Sequence, residues 1–100
     1  METKAGDPGA FAHFNLSRVD SPAFVVDEAA IRRNLAILAD VKTRAGIKIL
    51  CAMKAFSMWS LAPVVGEYLD GVCSSGLWES RLAREKYSGE IGRASCRERV

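Results

Sequence analysis

Apolar and polar positions along this chain change period several times, and each change marks an element. From Pro22 to Val26 (PAFVV) the residues are aromatic and β-branched with proline at the edge, which predicts a short strand. Asp27 is placed to cap a helix behind it, although Ala30 stands where a capping box would carry Glu or Gln. Ile31, Leu35, Leu38 and Ala45 then mark one helical stripe, while Arg32, Arg33, Asp40 and Lys42 mostly face water, and Gly46 is the expected stop. A continuous apolar run follows, IKILCAMKAF, whose Ile47–Lys54 portion reads as a buried strand of a parallel sheet.

Pro63 is compatible with the next helix if Ser60 is its N-cap, because Pro63 then lies in the first turn, where its missing N–H costs nothing. Leu61, Val64, Val65, Tyr68 and Leu69 keep i, i+3, i+4, i+7, i+8 spacing and form one apolar face. Asp70-Gly71 ends that helix, GVCSS reads as a second short strand (Gly71–Ser74), and Leu77–Tyr87 as a third helix with Glu79 in its first turn. Strand and helix alternate at a spacing that implies parallel βαβ units. A (β/α) barrel and an open doubly wound sheet both begin this way. Neither GxGxxG nor GxxxxGK[ST] follows a strand, so no nucleotide-binding loop is signalled. Residues 1–20 read as a loose leader from which Phe11, Phe14 and Leu16 are available to dock.

Composition narrows the class. With 49% hydrophobic and 26% charged residues in 100, the chain is expected to be one small globular domain rather than disordered. No apolar stretch approaches the ~20 residues of a membrane span, and METKAGDPGAF lacks a signal peptide's apolar core, so a cytoplasmic protein is expected. Cys51, Cys73 and Cys96 have no metal-ligand spacing and are odd in number; Cys51 and Cys73 read as small buried hydrophobes. His13 has no second ligand near it. Trp59 and Trp78 read as packing anchors, and Arg81, Arg84, Glu85 and Lys86 as a solvated helix face.

The net charge of +2 comes from the last ten residues. IGRASCRERV holds Arg93, Arg97 and Arg99 against Glu98, and without it the counts are 11 basic and 11 acidic, down from 14 and 12. The case for a nucleic-acid or membrane partner goes with it. The segment has neither helical nor strand periodicity. The codons ATC GGA AGA GCG TCG TGT AGG GAA AGA GTG encode it, and that string resembles a short-read sequencing adapter whose next triplet is a stop. Residues 91–100 are therefore expected to be translated adapter, with the gene continuing elsewhere.

One residue carries candidate chemistry. Lys54 stands at the carboxyl end of its strand, where functional groups gather in barrels. A lysine there is costly unless used, and desolvation would free its amine for Schiff-base formation. Ala52 and Ala55 leave room beside it for a flat ring. Ser74 and Ser75 end the neighbouring strand, on the same rim. Spacing alone leaves two readings open: a nucleophilic lysine, or one that snorkels to water. For Ser74 and Ser75 the alternative is helix capping, Ser75 being the nearer cap.

Taken together, SPAFVVDEAAIRRNL, KILCAMKAFSMWS and EYLDGVCSSGLWESRLAREKYSGE resemble the N-terminal part of the carboxynorspermidine (carboxyspermidine) decarboxylases, pyridoxal-phosphate enzymes with an alanine-racemase-like barrel. The resemblance runs from about Ser21 to Gly89. LKAF-type strands occur across that superfamily, whereas KAFSMWS combined with EYLDG and CSSGLWE is specific to the decarboxylase. Met53 stands where the family more often has leucine, a swap that conserves volume.

The resemblance implies an α/β fold: the N-terminal fragment of a (β/α)8 TIM barrel of the PLP-binding type. Residues 21–46 would supply a first strand of a separate β-domain plus a helix, and 47–90 an incomplete barrel. It implies that Lys54 is both the catalytic and the cofactor-binding residue, linked to pyridoxal 5'-phosphate as a Schiff base. The amino-acid end of a polyamine substrate would displace it, and the ring would be the electron sink as CO₂ leaves. Norspermidine or spermidine would be the product, and a homodimer with interfacial active sites the assembly, with no metal. The family's phosphate loop, pyridine-nitrogen partner, substrate-carboxylate contacts and proton donor fall beyond residue 90. Two barrel strands of eight, with the third expected where the tail begins, cannot close a barrel and leave open edges, so this chain is expected to be marginal or aggregated and inactive. The alternatives are another member of the superfamily (a diaminopimelate-type decarboxylase, a racemase or a non-enzymatic cofactor-binding protein) and a small scaffold in which Lys54 is only structural.

Overall fold

Asp27 opens the first α-helix by giving its carboxylate to two otherwise unsatisfied helix N–H groups. Its Oδ1 accepts from Ala29 at 3.0 Å and Ala30 at 3.3 Å, a cap that stabilises a helix by about 1 kcal/mol. The computed structural model describes residues 8–93, the side chain of Ala10 excepted. Helix α1 spans Glu28–Ala45 and ends where Gly46 turns left-handed at φ 67°, a conformation that suits a residue without Cβ. Strand β1 is Leu50–Ala52, helix α2 Ala62–Tyr68, strand β2 Gly71–Ser74, helix α3 Leu77–Lys86 and strand β3 Glu90–Arg93.

The strands form one parallel sheet in the order β1-β2-β3, with Cys51 beside Val72 and Val72 beside Ile91. This is the α/β class expected from the alternation. Parity divides the sheet into two faces. Cys51, Met53 and Val72 pack with the helices; Leu50, Ala52, Cys73 and Gly92 occupy the alternate positions.

Two clusters make the core. Leu35 of α1 meets Leu61, Val64, Val65 and Leu69, with Ile49 and Cys51 beneath them. Met53, Val72 and Ala83 form the second, flanked by Leu82 and Tyr87. Val72 is 1% exposed, and burying such a side chain contributes about 1.5–3 kcal/mol. The apolar face read from α2 is buried as expected except Tyr68, which is half-buried. Arg32 ties α1 to α2 through Glu67 at 2.7 Å while also holding Glu28 of its own helix.

Several expectations are corrected. Pro22–Val26 forms no strand: it has no ladder partner among the described residues, and Phe24 is 92% exposed. Strand β1 is shorter than Ile47–Lys54, because the chain turns once past Ala52, whose carbonyl accepts both Ala55 N–H and Phe56 N–H at 3.0 Å. Ser60 is not the cap of α2; a 3-10 turn over Trp59–Leu61 leads in, with Leu61 at the N-cap and Pro63 still in the first turn. Ser75 is not the cap of α3 either, that place falling to Gly76.

Trp59 and Trp78 are not packing anchors within the described residues. Both rings are exposed, and Trp78 instead lies under the Arg81 guanidinium at 5.1 Å. On α1, Leu38 and Ala45 remain exposed, so the apolar stripe is covered only at Ile31 and Leu35. Ile91–Arg93, the start of the segment expected to be foreign, complete β3; 94–100, with Cys96, and 1–7 of the leader lie outside the described residues.

Asp70 fastens the lower edge of the sheet. Its Oδ2 accepts from Ile49 N–H at 2.9 Å and its Oδ1 from Lys42 Nζ at 3.0 Å. Its own N–H donates to Ile49 O at 3.1 Å and its carbonyl accepts from Glu90 N–H at 2.9 Å. One residue thus joins α1, β1 and β3, and Lys42, expected to face water, is engaged here. The Ile49 N–H, then the Lys42 ammonium, hold the Asp70 carboxyl below its usual 3.8. A depressed carboxyl stabilises the fold fully above its unfolded value and loses that contribution as pH falls through the lower folded value. Acid titration followed by circular dichroism should therefore show stability falling below about pH 4, and Asp70→Asn should lower stability at neutral pH while flattening that acid dependence.

Candidate functional site at the carboxyl rim of the sheet

The ends of β1 and β2 lie side by side: Ala52 is in register with Cys73, and Met53 N–H extends the ladder to Cys73 O at 3.1 Å. Lys54 follows at once, within the turn closed on the Ala52 carbonyl. Its backbone is thereby fixed at the carboxyl end of a parallel strand, the position expected from the sequence. Lys54 is exposed. The dry surroundings anticipated for it are not supplied by residues 8–93. In the sheet rows below, Ala52, Cys73 and Gly92 are in register and all small.

Ser74 and Ser75 share this rim, but their hydroxyl and amide groups serve the helix. Ser74 is 3% exposed, and parity turns it to the helix side with Val72. Its Oγ lies 2.6 Å from Ser80 Oγ, and Ser80 Oγ in turn donates to Gly76 O at 3.1 Å. Ser75 N–H donates to Glu79 Oε1 at 2.8 Å. Glu79 was expected to favour the helix dipole; it also satisfies a backbone donor ahead of the helix, as N3 residues do. The helix-capping reading of the serines is corrected: Gly76 is the N-cap of α3 and neither serine side chain caps it, while Ser74 and Glu79 fasten the start of the helix in another way. An open cleft of about 380 Å³ lies here, lined by Ser74, Gly76, Leu77, Ser80 and Gly92 among others; Lys54 is not part of its wall.

The remaining reactive groups are quiet. Cys51 is half-buried, and burial, then the nearby Cys73, pushes its thiol up, keeping it protonated. His13 is exposed, and no cluster of three or more His, Cys, Asp or Glu able to hold a metal exists among the described residues. Nor is any helix among them long and apolar enough to cross a membrane. Sequence reasoning missed Ser80 and the full role of Asp70. The only available signal was position: a serine one turn into a helix, and an aspartate directly before a glycine-led strand.

No family model matches the chain. It is 38% identical over 72 residues to a carboxynorspermidine/carboxyspermidine decarboxylase of Herminiimonas arsenicoxydans, covering 72% of this chain and 20% of that protein. A protein of the same name from Campylobacter jejuni is 39% identical over 74 residues, covering 74% of this chain and 19% of the relative. A carboxyaminopropylagmatine decarboxylase of Synechocystis is 37% identical over 76 residues, covering 76% and 20%. The crystal structure of carboxynorspermidine decarboxylase complexed with norspermidine, from Campylobacter jejuni, superposes with a TM-score of 0.73 at 37% identity, covering 81% of this chain and 22% of that one.

The class follows from these: the chain is a decarboxylase homologue of parallel α/β fold. Within that class its homologues include the carboxynorspermidine/carboxyspermidine decarboxylases, and the chain spans about a fifth of the length of the curated relatives it matches.

Because the Ser74 hydroxyl anchors α3, Ser74→Ala should act on stability. A loss of about 1 kcal/mol is expected in urea unfolding, with no change in the reaction of Lys54 with aldehydes followed by mass spectrometry.

Proposed function

We propose that the complete protein is a pyridoxal-phosphate-dependent decarboxylase that converts carboxynorspermidine or carboxyspermidine to norspermidine or spermidine and CO₂ in polyamine biosynthesis, and that this chain is its N-terminal segment. The observation that carries the reading is the 37% identity and 0.73 TM-score to a decarboxylase solved with norspermidine, with Lys54 at the carboxyl end of β1. In this reading the sheet is the first part of a (β/α)8 barrel, and Ala23–Val26 belongs to a separate β-domain completed by the rest of the polypeptide, where it would find the ladder partner absent among the described residues. The protein is a cytoplasmic homodimer acting on a small polyamine amino acid, with no role for nucleic acid or membrane.

The residues present fit an aldehyde cofactor. An exposed lysine stands on a backbone turn fixed by the Ala52 carbonyl, flanked by Ala52 and Ala55. Lys54 is the residue that would hold pyridoxal phosphate. When bound, that group supplies a sink for the electron pair released with CO₂. What this chain contributes is placement: the turn fixes the Lys54 backbone, and the Ser74–Ser80–Gly76 linkage holds the start of α3 against the neighbouring strand end. The other cofactor and substrate contacts belong to the rest of the polypeptide. A second reading, decarboxylation of carboxyaminopropylagmatine, has the support of the Synechocystis relative at 37% identity.

Borohydride reduction of the complete protein with pyridoxal phosphate, followed by peptide mapping, should label Lys54, and Lys54→Ala should abolish turnover. The 100-residue chain assayed alone should release no CO₂ from carboxynorspermidine. A label elsewhere would overturn the site, turnover by the chain alone would overturn the fragment reading, and higher kcat/KM on carboxyaminopropylagmatine would favour the second substrate. The same reading takes Ile91–Val100 as translated adapter. Resequencing the source locus should show a different continuation after residue 90, whereas a native in-frame IGRASCRERV would refute this.

A further inference from the structure

Lys54 stands on a short strap whose two ends are held by different parts of the core. Met53, just before it, is buried with Val72 and Ala83 in the second cluster. Phe56, beyond it, packs against the first cluster, that of Leu35 and Val65. A shift of one cluster against the other therefore tilts the residue between them. One side chain spans the division: among the described residues, Cys51 alone packs against both clusters.

Cys51 also closes the strap. Its Sγ lies 3.8 Å from the Phe56 carbonyl oxygen, where the S–H can donate. The Ala52 carbonyl takes the Ala55 and Phe56 N–H groups at 3.0 Å. Those two bonds hold the amide side of Phe56, and the thiol holds its carbonyl side. An S–H is a weak donor, but packing does not replace it here. An open groove of about 150 Å³ borders both Cys51 and Phe56, so the half-buried Phe56 has room to shift on that side. Burial, then the nearby Cys73, keeps the thiol protonated, which is the form that can donate.

We infer that Cys51 is a positioning residue for Lys54: its S–H, donated to the Phe56 carbonyl, fixes the far end of the turn and with it the direction in which Lys54 leaves the carboxyl rim. The inference rests on the reading of Lys54 as the residue that holds pyridoxal phosphate. It gives a part in that site to a side chain on the helix face of the sheet.

Three variants of the complete protein separate the donor from the bulk. Cys51→Ser keeps a donor and loses apolar volume, Cys51→Val keeps apolar volume and loses the donor, and Cys51→Ala loses both. In cofactor-free protein, amide exchange at Ala55 and Phe56 should quicken by about fivefold in the alanine and valine variants, the size of effect one lost hydrogen bond produces. The rate at which pyridoxal phosphate and borohydride label Lys54 should fall by about fivefold in the same two. Cys51→Ser should stay within about twofold of the parent protein in both measurements, although thermal unfolding should show it no more stable than Cys51→Ala, because a hydroxyl restores no apolar packing. Labelling of Cys51→Val at the parent rate, serine no better than alanine, or unchanged exchange at both amides in Cys51→Ala would each overturn the inference. Exchange that follows this pattern in a protein whose Lys54 takes no label would count against the pyridoxal-phosphate reading and support the clamp on the turn.

Discussion

Everything above the lower edge of the sheet depends on how Asp70 distributes its four polar groups. Its two carboxylate oxygens take the Ile49 amide and the Lys42 ammonium, while its amide and carbonyl reach Ile49 and Glu90. The register of β1 on β2, and of β2 on β3, begins at this residue, since Leu50, Gly71 and Glu90 are the first in-register row. Gly71 is part of the same constraint: a Cβ there would collide with the Glu90 backbone. Asp70-Gly71 is thus less a helix stop than the origin from which the strands are counted, and the height of Lys54 and Ser74 at the opposite rim follows from it.

Much of the architecture was legible because it is local. The Asp27 cap, the Gly46 stop, the α2 face and the strand–helix alternation all rest on neighbours within a few residues, where spacing and turn chemistry decide the outcome. What was not legible depends on partners distant in sequence. Nothing around Lys42 announces that Asp70 will claim it, and nothing around Ser74 announces Ser80. PAFVV has strand composition, but a strand exists only through its neighbour, and none is among the described residues. Trp59 and Trp78 were misjudged for the same reason: their size implies burial, while the surface to bury them against is not in residues 8–93.

The site divides along the same line. The position of Lys54 could be read from a strand ending in a lysine, because strand and turn are both local. Its environment could not, because nothing local to the strand or turn encloses the lysine, which the described residues leave exposed. The serines show how parity sorts neighbours on one rim. Ser74 shares the helix-facing row with Val72 and spends its hydroxyl on α3, whereas the row of Ala52, Cys73 and Gly92 lies on the opposite face of the sheet.

The turn after β1 has a bearing on the order of events during synthesis. Ala52 accepts the amides of Ala55 and Phe56, and Met53 needs only the carbonyl of Cys73. Every one of these backbone contacts around Lys54 lies between Ala52 and Cys73, so none needs any residue synthesised after Cys73. The lysine's place is specified before α3 and β3 are made, and those elements join an anchor already set rather than creating one.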